Sequence, residues 1–437
     1  MIKTRTSFIF ILDALIFFSS LTLTLLIRYG YGLFKWSFLK HLPIFIILFF
    51  LWAGVFYLTD LYQLRVFKRK ITLLGNLFLA LSISLLVSII LFYLFGDFFQ
   101  IAPKINLLIF SIIFLVFDYS GRLFLNQALF IKQRIPILFL GESLAVLYLI
   151  NDLKSNPQQG YDVVSLIKEN KADLESLKSL FYGKVRIEII VVSPSFKNKE
   201  EFIKLIYSLP NNIKTIDFMD FFEMVYQKEP LEFLNEAWFV ENLKYHPFSD
   251  TFKRMFDILF SFILSIVFIP LILISVFFIK ISSPGSFFFR QKVSGQNSKI
   301  FTLYKLRTMK EGKEYPLWTT PGDKRVTKIG KILRPSHLDE LPQLFNILKG
   351  DLSFVGPRPE RMELAEMFEE KLPYYNVRRL VKPGLTGWAQ INYKPSSSIE
   401  EAFEKLKYDF YYLKNRSFFL DSLILLKTAK LLIISPK

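Results

Sequence analysis

The chain has 437 residues, no cysteine, a formal charge of +17 and 52% hydrophobic residues, 49 of them phenylalanine. Lack of cysteine excludes a disulfide framework, a thiolate metal site and a cysteine nucleophile. The positive charge suits nucleic acid as well as anionic headgroups and diphosphates, but so apolar a composition favours lipid and phosphate.

Four apolar segments open the chain, at residues 8–27, 42–58, 71–95 and 105–117, each near the ~20 residues that cross hydrocarbon. The first carries Asp13, lacks a small-residue cleavage site and leads into further spans, so it reads as a span rather than a cleaved leader. Asp13 itself reads as an acid near the cytoplasmic interface, in preference to a functional intramembrane acid. Lys3 and Arg5 precede the first span; Arg65, Lys68, Arg69 and Lys70 separate the second from the third; Arg122, Lys132 and Arg134 follow the fourth. That bias puts both ends of a four-helix bundle, residues 1–121, in the cytoplasm, although Arg28, Lys35 and Lys40 lie in the first outer loop.

Residues 134–242 turn soluble. The runs 135–140 and 187–192 read as buried parallel strands, with helical stretches between and after them. Gly141 stands where a dinucleotide-binding turn begins, but the second and third glycines of that turn are missing. The expectation is a degenerate Rossmann-like middle domain without cofactor, serving regulation or assembly.

The apolar segment 255–279 has basic flanks on both sides, Lys253 and Arg254 before it and Lys280, Arg290 and Lys292 after it. A proline in its middle, Pro270, removes a donor and permits a re-entrant hairpin that keeps both flanks cytoplasmic. A fifth span kinked at Pro270 is the other reading, and the residues alone leave both open.

A catalytic domain is expected over residues 250–437. Alternation over 300–309 puts Lys305 and Arg307 on one strand face, where the pair can grip a diphosphate. Arg290, Lys292, Lys324, Arg325, Lys328, Lys331 and Arg334 add to the basic surface, some of them as plain solvated charge. The adjacent acids Asp339 and Glu340 lie between Arg334 and His337 upstream and Pro342 downstream. An aspartate can attack phosphorus, and a neighbouring acid can hold magnesium against the diphosphate. A solvated acid pair is the plainer alternative. His337 is a candidate base, more readily a packing or hydrogen-bonding neighbour. Arg358, between Pro357 and Pro359, is either a pre-positioned phosphate fork or a turn salt-bridged to a carboxylate. Asp351, Asp409 and Asp421 are weaker candidates, each explicable as a helix cap. The run 417–434, interrupted by Asp421, Lys427 and Lys430, reads as an interfacial helix.

Together the motifs resemble the bacterial polyprenyl-phosphate sugar-1-phosphate transferases that initiate exopolysaccharide and other surface-glycan synthesis. The resemblance rests on Phe289-Arg290-Gln291, Tyr304-Lys305-Leu306-Arg307-Thr308-Met309, Leu338-Asp339-Glu340-Leu341-Pro342-Gln343-Leu344 and Val355-Gly356-Pro357-Arg358-Pro359, then Lys382-Pro383-Gly384-Leu385-Thr386-Gly387-Trp388 and Lys407-Tyr408-Asp409-Phe410-Tyr411-Tyr412. It implies that Asp339 attacks the sugar-linked phosphate of a UDP-sugar and expels UMP, that undecaprenyl phosphate then accepts the sugar phosphate, that Glu340 binds Mg2+, and that Lys305, Arg307, Arg358 and Arg334 hold phosphates. Secondary candidates are Arg290, His337 and Asp409. It also favours the re-entrant reading at Pro270, although Ile269 stands where the family often has serine. Ile391-Asn392-Tyr393-Lys394 replaces an Asn-Gly-Arg-Asn stretch of other branches, so no sugar carries over. The partners implied are a UDP-sugar, undecaprenyl phosphate and the bilayer of the bacterial inner membrane, not nucleic acid, with a homodimer left open. An ordinary membrane glycosyltransferase that releases UDP and a nonenzymatic scaffold of polysaccharide assembly are the competing readings; a transporter is disfavoured by the few polar groups in the spans.

Overall fold

In the computed structural model, which describes residues 2–62, 70–99, 104–131, 134–168, 186–197, 213–243, 247–282, 284–309 and 325–434, four helices among the described residues are long and apolar enough to cross a membrane: Ser7–Leu58, Lys70–Tyr93, Ile105–Ala128 and Asp250–Ser282. The first belongs to α1 (Ile2–Leu58), whose 57 residues would reach about 85 Å if straight, far beyond the hydrocarbon thickness. It is not straight. Gly30 adopts φ 67° and ψ 174°, a backbone state closed to residues with a Cβ, and the helix folds back there. Phe17 from the first half consequently meets Phe45, Phe49 and Trp52 of the second at ring distances of 6.1, 5.4 and 5.5 Å. With α2 (Lys70–Phe99) and α3 (Lys104–Leu125), the two halves supply the four helices expected from the sequence.

Asp13 makes a contact that the sequence reading did not include. It is only 1% exposed, and both its oxygens accept from Arg122 Nη2 at 2.7 and 2.8 Å. Arg122 also donates to Asp118 at 2.7 Å and to the Leu61 carbonyl at 2.8 Å. The guanidinium thus ties α1, α3 and the turn after α1 together. An acid alone in that place would carry a large desolvation penalty, and the paired cation offsets it. Of the basic residues flanking these spans, 63–69 and 132 lie outside the described residues.

The chain parts into two compact units, Met1–Val225 and Tyr226–Lys437. The first unit holds, besides the helices, a parallel sheet of β1 (Ile135–Leu140), β2 (Tyr161–Ile167), β3 (Ile189–Val192) and β4 (Lys214–Asp217) in the order β2-β1-β3-β4. The order reverses direction between β1 and β3, as in doubly wound sheets. Helix α4 (Leu144–Ser155) follows β1 and is capped by the Ser143 hydroxyl, which accepts from the Val146 amide at 3.2 Å. Strands β2 and β4 were not foreseen as strands, since Tyr161–Ile167 mixes exposed and buried positions without clean alternation and Lys214–Asp217 is short and polar.

The second unit begins with α6 (Glu236–Asn242), α5 (Phe218–Tyr226) having closed the first. Residues 226–242, placed by the sequence reading with the middle domain, make contacts here: Lys407 Nζ donates to Glu232 at 2.6 Å, the Glu229 amide to the Lys407 carbonyl at 3.0 Å, and Trp238 lies 6.0 Å from the Phe410 ring. Helix α7 (Pro247–Ser282) contains Pro270. Near its start Arg254 donates to the Ile347 and Leu348 carbonyls at 2.6 and 2.7 Å, covering carbonyls at the end of α8 (Gln343–Lys349). Near its end Ile279 is buried with Leu306 and Leu333. Between these anchors Phe262, Ile266, Val267, Ile269 and Leu273 are exposed. The rest comprises the antiparallel pair β5 (Phe288–Ser294) and β6 (Ile300–Leu306), the parallel pair β7 (Ser353–Val355) and β8 (Gly384–Thr386), and α9 (Met362–Lys371), α10 (Trp388–Asn392), α11 (Ile399–Asn415) and α12 (Phe418–Ile434). Asp421 on α12 pairs with Lys253 and accepts from the Tyr412 hydroxyl at 2.9 Å, so its contacts tie α12 to α7 and α11.

Candidate active site

The acid pair sits on a single 3-10 turn, Leu338–Glu340, entered through His337 at φ 53° and left through Pro342, which stands at the cap of α8 where an amide donor is not required. Two neighbouring carboxylates on so tight a turn are held in one place but point apart. Glu340 Oε1 accepts from Lys305 Nζ at 2.8 Å and from Arg358 Nη2 at 3.2 Å. No ion pair of the described residues includes Asp339, which feels Lys305 and Arg334 at longer range.

Each cation is delivered by a different piece of backbone. Lys305 lies on β6 directly opposite Phe289 of β5. Its strand is fastened to α8 by Asn346, fully buried, whose side chain accepts from the Tyr304 amide at 3.2 Å and donates to the Thr302 carbonyl at 2.7 Å. Asn346 was invisible to sequence reasoning, because nothing local marks which asparagine of a helix turns inward. Arg358 follows β7 in a loop that crosses the Pro383-Gly384 turn at backbone contact: the Gly356 amide donates to the Thr386 carbonyl at 2.9 Å and the Gly384 amide to the Pro357 carbonyl at 2.9 Å. A Cβ on Gly356 would lie 2.3 Å from the Lys382 carbonyl oxygen, so the interlock requires glycine there.

The remaining residues singled out in the sequence fall in three groups. Arg334 stands close enough to lower the Asp339 carboxyl electrostatically, and His337 Nδ1 is 3.9 Å from Glu340 Oε2 with its side chain 44% exposed. Arg307 is buried one residue beyond the end of β6; its side chain donates to the Pro284 carbonyl at 2.7 Å and its amide to the Phe287 carbonyl at 2.9 Å. Arg290 is exposed on β5 opposite Tyr304. Asp351 pairs with Lys349 at 2.9 Å. Asp409, 3% exposed, pairs with Arg378 at 2.9 Å and is not brought to the dyad. Lys324 lies outside the described residues.

The electrostatics of the two acids diverge. Burial and the neighbouring Glu340 push the Asp339 carboxyl up to about 6, against a smaller downward pull from Lys305 and Arg334. Burial also raises Glu340, but Lys305 and Arg358 outweigh it and hold that carboxyl well below the usual carboxylate range. Acids whose environments push their pKa values apart commonly divide labour. One is a permanent anion engaged with two cations. The other is a basic, uncommitted carboxylate.

Among the described residues no group of three or more His, Asp or Glu is arranged to hold a metal ion. Magnesium needs no such group, since it binds through one or two carboxylates together with substrate phosphates. The hard oxygens of Asp339 and Glu340 fit that mode.

The profile of the bacterial sugar transferase family matches residues 248–435. The chain is 41% identical over 180 residues to a UDP-N-acetylgalactosamine-undecaprenyl-phosphate N-acetylgalactosaminephosphotransferase of Aeromonas hydrophila, covering 41% of this chain and 43% of that protein. It is 41% identical over 183 residues to EpsL of Bacillus subtilis, an uncharacterized sugar transferase, covering 42% of this chain and 88% of the relative. With a UDP-glucose:undecaprenyl-phosphate glucose-1-phosphate transferase of Klebsiella pneumoniae the identity is 38% over 182 residues, 41% of this chain and 39% of the other. The match therefore spans less than half of the Aeromonas and Klebsiella proteins and nearly all of the Bacillus one.

Proposed function

The chain belongs to the bacterial sugar transferase family, and from that premise we propose that it transfers a sugar 1-phosphate from a UDP-sugar to undecaprenyl phosphate, releasing UMP, in the first step of exopolysaccharide or other surface-glycan synthesis. The observation that carries this reading is the split within the dyad: Glu340 is spoken for by Lys305 and Arg358, while Asp339 keeps a raised pKa and no ion pair among the described residues.

A carboxylate oxygen of Asp339 attacks the phosphorus that bears the sugar. The bond from that phosphorus to the bridging oxygen breaks, and UMP leaves with the electron pair. An oxygen of undecaprenyl phosphate then attacks the same phosphorus, the acyl phosphate bond breaks, and Asp339 returns as a carboxylate beside the new diphosphate. Lys305 and Arg358, anchored on Glu340, present their other N–H donors to the phosphate oxygens; Arg334 adds positive potential. Magnesium, held by Glu340 with Asp339 and the phosphates, would supply neutralisation of the diphosphate charge. With a pKa of about 6, Asp339 is a better base than an ordinary aspartate and still mostly ionised at neutral pH.

The same reading makes α7 a re-entrant hairpin that keeps the site on the cytoplasmic face of the inner membrane. Two features support it: Arg254 and Ile279, near opposite ends of α7, both pack against the second unit, and basic residues flank both ends. The exposed apolar middle around Pro270 would be the part in lipid. Because the chain has no cysteine, Lys299→Cys, at an exposed turn position with φ −69°, gives a single reporter. Labelling from the cytoplasmic side alone is expected, and labelling from the periplasm would make α7 a true span.

The function is tested by offering membrane-extracted protein, magnesium and undecaprenyl phosphate a panel of UDP-sugars and identifying the nucleotide released. UMP is expected, and the sugar that elicits it is the donor. UDP would transfer the chain to ordinary glycosyl transfer.

A further inference from the structure

Arg378 lies behind the Arg358 loop and touches neither acid of the dyad. Its side chain is 8% exposed and has three partners. Nη1 donates to the Tyr375 hydroxyl at 2.7 Å. Nη2 donates to the main-chain carbonyl of Arg358 at 2.9 Å, and lies 2.9 Å from Asp409 Oδ2. The carbonyl is that of the very residue whose guanidinium reaches Glu340. Pro357 and Pro359 already restrict the backbone on either side of it.

We propose that Arg378 is a positioning residue for sugar-phosphate transfer: braced by Asp409 and Tyr375, it pins the main chain of Arg358 and so fixes where the Arg358 fork meets the substrate phosphate. The proposal rests on the reading of Arg358 as a phosphate-holding group. A buried ion pair is a poor source of net stability, because desolvating both charges consumes most of the Coulomb gain. What an arginine supplies here is geometry: a planar fork can serve a hydroxyl, a carbonyl and a carboxylate together, and the single nitrogen of a lysine cannot. Asp409 is in turn carried by α11, whose Phe410 packs against Trp238 and whose Tyr411 stacks on Trp388 at 5.4 Å. The role of Asp409, considered in the sequence as a direct site residue, becomes that of an anchor for the arginine behind the loop.

A group that acts through another loses its effect when that other is removed, so the test is a double-mutant cycle in the full-length protein. Arg378→Lys is expected to lower kcat/KM for the UDP-sugar by about 10²-fold, the cost of roughly 1 Å of misplacement at a positioned group. In an Arg358→Ala background the same change is expected to cost less than about 3-fold. Tyr375→Phe, which deletes one hydroxyl and leaves the ion pair, runs through the same cycle as a gentler probe in case Arg378→Lys does not fold. Asp409→Asn, retaining an acceptor oxygen, is expected to recover much of the rate lost in Asp409→Ala. Losses that multiply equally in both backgrounds, or no loss beside intact Arg358, would overturn the positioning role. Wild-type turnover in Arg358→Ala alone would instead remove the premise, and that variant reports on the premise with Arg378 untouched.

Discussion

Asp339→Asn is expected to abolish turnover, by at least about 10⁴-fold, as loss of the proposed covalent nucleophile would, and at the same time to stabilise the fold at neutral pH. The two effects share one cause. Asp339 holds a carboxylate in a partly buried place next to Glu340, and burial together with that neighbour raises its pKa to about 6. A raised folded-state pKa means that the folded protein holds the proton more tightly than the unfolded chain, so the contribution to stability is complete below about pH 4 and is lost as pH rises through about 6. Above that the ionised group is a penalty of about 1–3 kcal/mol, after allowance for its partial exposure to solvent. Asparagine has the same shape and none of the charge. Thermal unfolding in magnesium-free detergent solution is therefore expected to show Asp339→Asn more stable than wild type at pH 7.5, with the gain vanishing near pH 4. Retained turnover would refute the nucleophile assignment, and an unchanged or lowered midpoint at pH 7.5 would refute the strain.

Glu340→Gln is expected to fail in the opposite way. Its carboxylate takes Lys305 at 2.8 Å and Arg358 at 3.2 Å, and those cations hold its pKa low against the effect of burial. That contribution to stability is present at neutral pH and is lost as pH falls below the ordinary glutamate range. Glutamine leaves two cations facing each other around a neutral amide, and breaking a buried pair from one side costs about 3–5 kcal/mol when fully desolvated, somewhat less at the 16% exposure of Glu340. Activity is expected to fall by about 10³-fold, since both groups proposed to hold phosphate lose their anchor. Adjacent acids, each replaced by its isosteric amide, thus move stability in opposite directions. If both amides destabilise alike, the dyad is a structural acid pair and the division of roles is wrong.

The charged residues of the candidate site were more legible in the sequence than the scaffolding that holds them. Asp339, Glu340, Lys305 and Arg358 could be singled out because prolines and strand alternation mark them locally, and the structure brings Lys305 and Arg358 to Glu340, with Asp339 beside it on the same turn. Arg307 follows one residue after the end of β6, and its amide still pairs with the Phe287 carbonyl at 2.9 Å. Arg378 and Arg379 are neighbours on one 3-10 turn, and nothing in the local pattern tells which of them turns inward to Asp409. The pairing of Asp13 was equally hidden, its partner Arg122 being 109 residues away. The apolar segments of the bundle were legible from length alone, whereas the reversal at Gly30 inside an otherwise unbroken helix rests on one dihedral angle. Strand β2 was missed because its burial does not alternate.

The central step of the proposed reaction is a bond between Asp339 and phosphorus. Incubating the protein with its UDP-sugar and magnesium, without lipid acceptor, and then mapping peptides by mass spectrometry looks for that bond directly. A sugar-phosphate mass on the peptide carrying Asp339, absent in Asp339→Asn and discharged when undecaprenyl phosphate is added, is the expected result. Steady turnover with no such adduct, or an adduct that survives in Asp339→Asn, would contradict it.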